Sequence, residues 1–268
     1  YYDKIRHRHS QVLAATGLTP AEFDALLITF KYHWDEYYSH FTLEGKVRQR
    51  ISYNSVVSDS GQNVLHIGIS EDQSLQELHA IQFEMTQPQA NRWIHLLSEI
   101  LRRTLKTLGE LPDRNSKRLI HILQGCEEVL LDGTERPIQR PLDEDGSLHA
   151  IVVKKTHSIK NNLLCTNNLR IVWLSSTYKG HVHDKKICDE EPLLLPKGIR
   201  LWQDTGFIGH RPDGVEICMP KKKPKGKELT CVEKQENKRI SGVRIKVEHA
   251  IGGMKKCRIV KERFRCHK

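Results

Sequence analysis

The sequence predicts an α/β protein: a mixed sheet covered by helices, preceded by an all-helical region. Three observations carry that reading. Up to about Pro112 the apolar residues recur at helical spacing. Beyond it, short apolar runs alternate with helical segments, as in a sheet with helices on its faces. The 268 residues are 38% hydrophobic, enough to fill one large core or two modest ones. A helical N-terminal region over 1–112 and an α/β domain over 113–268 follow.

The first helix is expected at Thr19, which can cap it. Pro20 fits the first helical position, and Glu22 completes a capping box. Phe23, Leu26, Leu27, Phe30 and Trp34 then share one face. Residues 42–73 read as a polar connector. SLQELHAIQF restores a helical pattern through Leu75, Leu78 and Ile81. TQPQANRWIHLLSEILRRTL makes a second helix, with Thr86 as cap and Gln89 as its partner. Its buried stripe is Ala90, Trp93, Ile94, Leu97 and Leu101.

Two helices joined by so short a turn, over about 74–101, match a helix-turn-helix. In that motif the start of the second helix meets base edges in the major groove. Gln87, Gln89, Asn91 and Arg92 have the side chains for it, because amides pair with adenine and Arg with guanine or phosphate. A helical hairpin packed in a core has the same spacing, and Glu84 stands where a left-handed Gly is expected.

After Pro112 a strand is expected to end near Leu131. HAIVVKKTHSI and LRIVWLSSTY form two more strands, and HDKKICDEEPLLL a short helix. IRLWQD is a strand ending at Asp204, and VEICMP another. A long helix from about Leu229 past Met254 carries Ile240, Val243, Val247, Ile251 and Met254 on its apolar stripe.

The charge is lopsided. Residues 219–268 hold 17 Lys and Arg against 5 Asp and Glu, whereas the first 218 residues hold 26 against 28. The whole surplus of +10 therefore sits in the last fifty residues, which suggests a polyanionic partner, most simply double-stranded DNA. Seven Cys without a C-x-x-C pair argue against a disulfide framework and a Cys-type zinc site, and for a reducing, cytoplasmic setting. No run of about eighteen apolar residues exists to span a membrane, and no signal peptide is visible. The chain opens on Tyr1 rather than Met, as a fragment or trimmed chain would.

Three carboxylates stand out. Asp132 follows Val129, Leu130 and Leu131 and precedes Gly133. Asp204 follows Leu201 and Trp202 and precedes Thr205 and Gly206. Each is placed at a strand's C-terminal end beside a turn, the edge where open α/β sheets bind ligands. Glu248 lies on the long basic helix and could pack across that edge. Separately, each Asp reads as a turn former and Glu248 as an ion-pair partner. Together, acidic oxygens with open positions suit Mg²⁺ or Mn²⁺. Two such ions about 4 Å apart can activate a nucleophile and stabilise the leaving oxygen at a phosphodiester.

LLDGTERPIQRP, STYKGHVHDKK, LWQDTGFIGH, KKPKGKELT and RIKVEHAIGGMKKCRIVK occur in order, with LQELHAIQFEMTQPQANRWIHLL upstream. In these segments, from about residue 74 onward, the chain resembles the DDE transposases of bacterial insertion sequences, in their Harbinger-related branch. The resemblance implies a ribonuclease-H-like core, DNA as substrate, and two Mg²⁺ or Mn²⁺ ions held by Asp132, Asp204 and Glu248. The family signature around the glutamate falls on Arg244, Glu248 and Lys255, with Ser241 in place of its Tyr. Arg244, Lys255 and the adjoining Lys256 would meet phosphate. His183 and Asp184 match a further motif and read as residues behind the metal ligands or in contact with DNA; a fourth metal carboxylate at Asp184 is the second option. Holding two transposon ends implies a homodimer, and the bacterial setting implies association with the nucleoid. The chain stops at Lys268 where relatives continue, as a truncated copy would. The expected activity is cleavage at transposon ends and strand transfer; the alternatives are a non-transposing nuclease and a catalytically inactive or domesticated DNA-binding protein.

Overall fold

The structure, a computed structural model, describes residues 6–42, 44–49, 77, 80–81, 83–139, 157–226, 228–255 and 258–263. The chain divides into two compact units, Tyr1–Leu111 and Pro112–Lys268.

The first unit is helical. α1 (His9–Thr16) ends at Gly17, whose φ of 70° closes the helix in the left-handed region. α2 (Pro20–His40) starts as its sequence dictates: Glu22 Oε2 accepts from Thr19 N–H at 2.8 Å, and Thr19 Oγ1 accepts from Glu22 N–H at 3.3 Å. α3 (Gln87–Thr107) packs against α2. Val12, Phe23, Leu26, Phe30, Trp34, Leu97 and Ile100 form the core, with Trp93 stacked 5.7 Å from Trp34. The sequence pattern starts the helices at Thr19 and misses α1, which puts Val12 into this core.

Most of the helix expected before α3, and much of the connector over 42–73, lie outside the described residues. Glu77, Ala80 and Ile81 are helical. The turn after them is closed by Met85 N–H donating to Ala80 O at 2.9 Å. Glu84 takes the left-handed conformation there, at φ 52°, without being Gly.

The second unit is a mixed sheet in the order β3-β2-β1-β5-β6, with the short β4 pairing with β2. Its strands are β1 (Glu128–Pro137), β2 (Ser158–Thr166), β3 (Ile171–Leu174), β4 (Tyr178–Lys179), β5 (Arg200–Trp202) and β6 (Glu216–Cys218). β1 to β4 pair antiparallel, whereas β5 and β6 run parallel to β1. α4 (Leu119–Ile122) precedes the sheet, and α5 (Asp184–Glu190) connects β4 to β5. α6 (Cys231–Met254) and the single turn α7 (Arg258–Lys261) follow β6. This mixed sheet with helices on it fits a ribonuclease-H-like core.

Each sheet face has its own core. Val129, Leu131, Leu164, Trp173, Leu201 and Phe207 pack on one face with Ile187's neighbour Cys188 of α5. Leu130, Leu163, Cys165 and Trp202 pack on the other against Ile240, Val247 and Ala250 of α6. The alternation along β1 therefore sends even-numbered side chains toward α6.

Two sequence expectations are corrected. β1 does not stop near Leu131 but runs on to Pro137, so Asp132 and Gly133 lie inside a strand. Gly133 pairs with Asn162 across the ladder instead of turning. The second strand runs through Asn161 and Asn162 to Thr166. Residues 149–156, where it was expected to begin, lie outside the described set. The side-chain N–H groups of both asparagines are bonded, whereas Asn162 Oδ1 is buried without a hydrogen-bond partner. Asn161 Nδ2 donates to Ser176 O at 2.9 Å, and Asn162 N–H donates to Ser175 Oγ at 2.9 Å.

Candidate active site

Register brings Asp132 and Asp204 together. In the parallel pair of β1 and β5, Leu130 stands beside Trp202. Asp132 and Asp204 each lie two residues further on, so both follow their neighbours onto the face that α6 covers. Past Trp202 the chain leaves the sheet. Asp204 Oδ1 accepts from Gly206 N–H at 2.8 Å and caps the turn Thr205–Phe207. Asp132 Oδ1 accepts from its neighbour Gly133 N–H at 2.8 Å.

From α6, Arg244 reaches both acids. Its Nη2 lies 3.5 Å from Asp132 Oδ2 and 3.9 Å from Asp204 Oδ2. The Arg244 side chain is 14% exposed, so this is a largely dehydrated contact. Burial pushes the Asp132 carboxyl above its ordinary range. The Gly133 N–H and Arg244 oppose that shift, while Asp204 and Asp184 reinforce it.

Asp184 is the acid that the sequence reading placed behind the site. It opens α5, and its carboxylate enters the space that two missing side chains leave. Its Oδ1 lies 2.8 Å from where a Cβ on Gly133 would stand, and its Oδ2 lies 3.0 Å from the corresponding point on Gly206. Asn162 Nδ2 fixes the turn by donating to Asp184 O at 2.8 Å. Lys160, paired with Glu135 at 3.2 Å, lies 3.1 Å from Asp184 Oδ1. That last contact is an ion pair without hydrogen-bond alignment, because Asp184 Oδ1 is buried with no hydrogen-bond partner. The signal for Asp184 in the sequence was glycine placement: Gly133 and Gly206 follow the two acids closely, and both make room for a third.

Glu248 is exposed on α6, one helical turn beyond Arg244. His183 is exposed just before α5. Lys255 ends α6, and Lys256 lies outside the described residues. In the helical unit, Gln89 Oε1 accepts from both Thr86 N–H at 2.9 Å and Thr86 Oγ1 at 3.0 Å. Arg92 lies 4.0 Å from Glu44, and both line a small cleft with Gln89, Trp93 and Leu96. Gln87 and Asn91 are half-buried.

The donors suit a hard divalent ion: carboxylate oxygens, one of them buried without a hydrogen bond and paired only by charge with Lys160, in a cradle that any side chain at Gly133 would fill. Among the described residues, no three His, Cys, Asp or Glu side chains converge closely enough to ligate a single ion. Arg244 stands between two of the acids.

Acids are thus gathered beside the parallel strands of a mixed sheet, under a cationic helix. The chain belongs to the DDE superfamily endonucleases, whose family model matches residues 131–268. It is similar to the probable transposase for insertion sequence element IS702 of Microchaete diplosiphon, with 26% identity over 137 residues, 51% of this chain and 49% of that protein. The chain thus spans about half the length of the curated relative it matches. No solved structure matches it. Among the described residues no helix is long and apolar enough to cross a membrane.

Proposed function

We propose that this chain is a DNA transposase that cuts the ends of its own element and joins them to target DNA. The observation that carries the reading is the convergence of Asp132 and Asp204 on one guanidinium, with the Asp184 carboxylate set between two glycines. The family match and the transposase relative support it.

In this reading Asp132, Asp204 and Glu248 hold Mg²⁺ or Mn²⁺, two ions in all, and Asp184 adds a fourth acidic donor. Bound there, the ions supply Lewis-acid activation of the attacking oxygen and charge neutralisation at phosphorus. Arg244, Lys255 and Lys256 contact the phosphates beside the cut, where their charge favours the dianionic transition state. Water attacks phosphorus in line and a 3′-OH leaves. That hydroxyl then attacks a phosphodiester of the target, displacing its 3′ oxygen. One P–O bond forms as one breaks in each step, so a single site serves both and no covalent protein–DNA intermediate is needed.

The start of α3 and the turn before it act as a helix-turn-helix on the terminal repeats. Gln87, Asn91 and Arg92 read base edges. Gln89 contributes less, since its Oε1 already serves Thr86 and bidentate pairing with adenine needs that oxygen. Joining two ends at one target calls for two sites, hence a homodimer working on nucleoid DNA.

The test is Mg²⁺-dependent cleavage of duplexes carrying the element's ends, followed by joining of the 3′-OH product to a plasmid. Asp204→Asn is expected to abolish both. Equal cleavage by the variant would overturn the reading, and cleavage without joining would reduce it to a nuclease.

A further inference from the structure

We propose that Arg244 is the resident counter-ion of the acidic site, which a divalent ion must displace and which DNA phosphate draws away, so that metal loading is coupled to DNA binding. The inference rests on the metal-dependent reading above.

Charge at the cluster is the first argument. Asp132, Asp184, Asp204 and Glu135 bring four carboxylates, and Lys160 and Arg244 bring two cations. Lys160 serves Asp184 and Glu135, and among the described residues Arg244 is the cation within 4.0 Å of Asp132 and Asp204. Removing it would leave those acids facing each other, with Asp132 largely withdrawn from water and Asp204 36% exposed, and so raise their mutual repulsion. The guanidinium thus offsets the repulsion between the two acids when no ion is bound.

Geometry is the second. At 3.5 and 3.9 Å the guanidinium spans the two acids without closing a tight bidentate pair with either. Its Nε is buried with no hydrogen-bond partner. A side chain committed to this place would bond that N–H, so the contact holds the acids without being optimised for them. Any ion shared by Asp132 and Asp204 must enter where the guanidinium now stands. Arg244 lies on the helix that carries Lys246 and Glu248, so a displaced guanidinium remains beside the phosphates of bound DNA.

Linkage then fixes the sign. If DNA removes Arg244 from the acids, DNA tightens metal binding, and metal tightens DNA binding by the same factor. A chain without DNA stays poorly loaded, which suppresses cutting away from element ends.

Mn²⁺ binding, followed by the electron paramagnetic resonance of the free ion, tests this without any turnover. The full chain is titrated with and without a duplex of its element's end. Wild type is expected to bind Mn²⁺ on the order of tenfold more tightly with the duplex. Arg244→Gln should bind tightly without DNA and gain little from it, and Arg244→Lys, which keeps the charge, should remain near wild type. A purely structural arginine predicts the reverse, weaker Mn²⁺ binding in Arg244→Gln. That result, or a wild-type affinity indifferent to DNA, overturns the proposal even if Arg244→Gln folds poorly. Failure of the underlying site is separable: wild type would then bind no Mn²⁺ that Asp204→Asn abolishes.

Discussion

Replacing Gly133 with Ala tests the arrangement at one atom. The new methyl would lie 2.8 Å from Asp184 Oδ1, closer than real Cβ atoms come to a neighbour, and 3.2 Å from its Cγ, tighter than most such contacts. The carboxylate cannot simply swing away. The Asp184 carbonyl is held by Asn162 Nδ2, its Oδ1 is paired with Lys160, and its Oδ2 faces Gly206. Gly133 has no left-handed backbone to lose, so in open space Ala would stabilise the strand by about 0.5–1 kcal/mol. Overpacking a filled site costs about 1–3 kcal/mol. The balance spans about 0–2.5 kcal/mol and centres on a loss of about 1 kcal/mol, read as a lower urea midpoint with unchanged slope. Gly242→Ala in α6 is the control, since nothing lies within 4 Å of its Cβ position. It should gain up to about 1 kcal/mol from helix propensity. If Gly133→Ala proves as stable as wild type while Gly242→Ala behaves as stated, the placement of Asp184 between the two glycines is wrong.

Other outcomes follow from the same contacts. Asp132 holds its proton more tightly folded than unfolded, so stability falls as pH rises from its ordinary value of 3.8 toward the raised one. In metal-free buffer Asp132→Asn escapes that loss, and its stability relative to wild type should grow across this window in urea titrations; a constant difference would refute the shift. Asn162→Ala should cost about 1–3 kcal/mol, because Asp184 O and the buried strand lose their donor; a neutral change would show water replacing it at no cost. Glu84→Gly should stabilise the chain by about 1 kcal/mol in thermal melts by relieving the left-handed backbone, and a loss would mean that the Glu84 side chain matters more than its φ.

Strong periodicity made much of the fold legible. α6 shows in the spacing of Ile240, Val243, Val247, Ile251 and Met254, and α2 in its capping box and apolar face. Short or polar elements were harder to read. α1 puts Val12 into the core, and β2 carries two adjacent asparagines whose buried side chains donate to groups of 175–177 and to Asp184 O. Gly133 misled because a Gly after an Asp ordinarily turns the chain, whereas here it is paired in a strand and yields space to a residue fifty-one positions on. Asp132 and Asp204 could be picked out as acids ending apolar runs. Their meeting depends on the parallel register of β1 with β5, and that is tertiary information. Arg244 was expected at phosphate, and its place between the two acids follows only from how α6 lies on the sheet.

Anomalous diffraction from crystals soaked in Mn²⁺ tests the central claim most directly. A manganese peak is expected in contact with the carboxylates of both Asp132 and Asp204, with the Arg244 guanidinium turned out of the space between them. A saturated soak that leaves Arg244 in place and puts manganese elsewhere would contradict it.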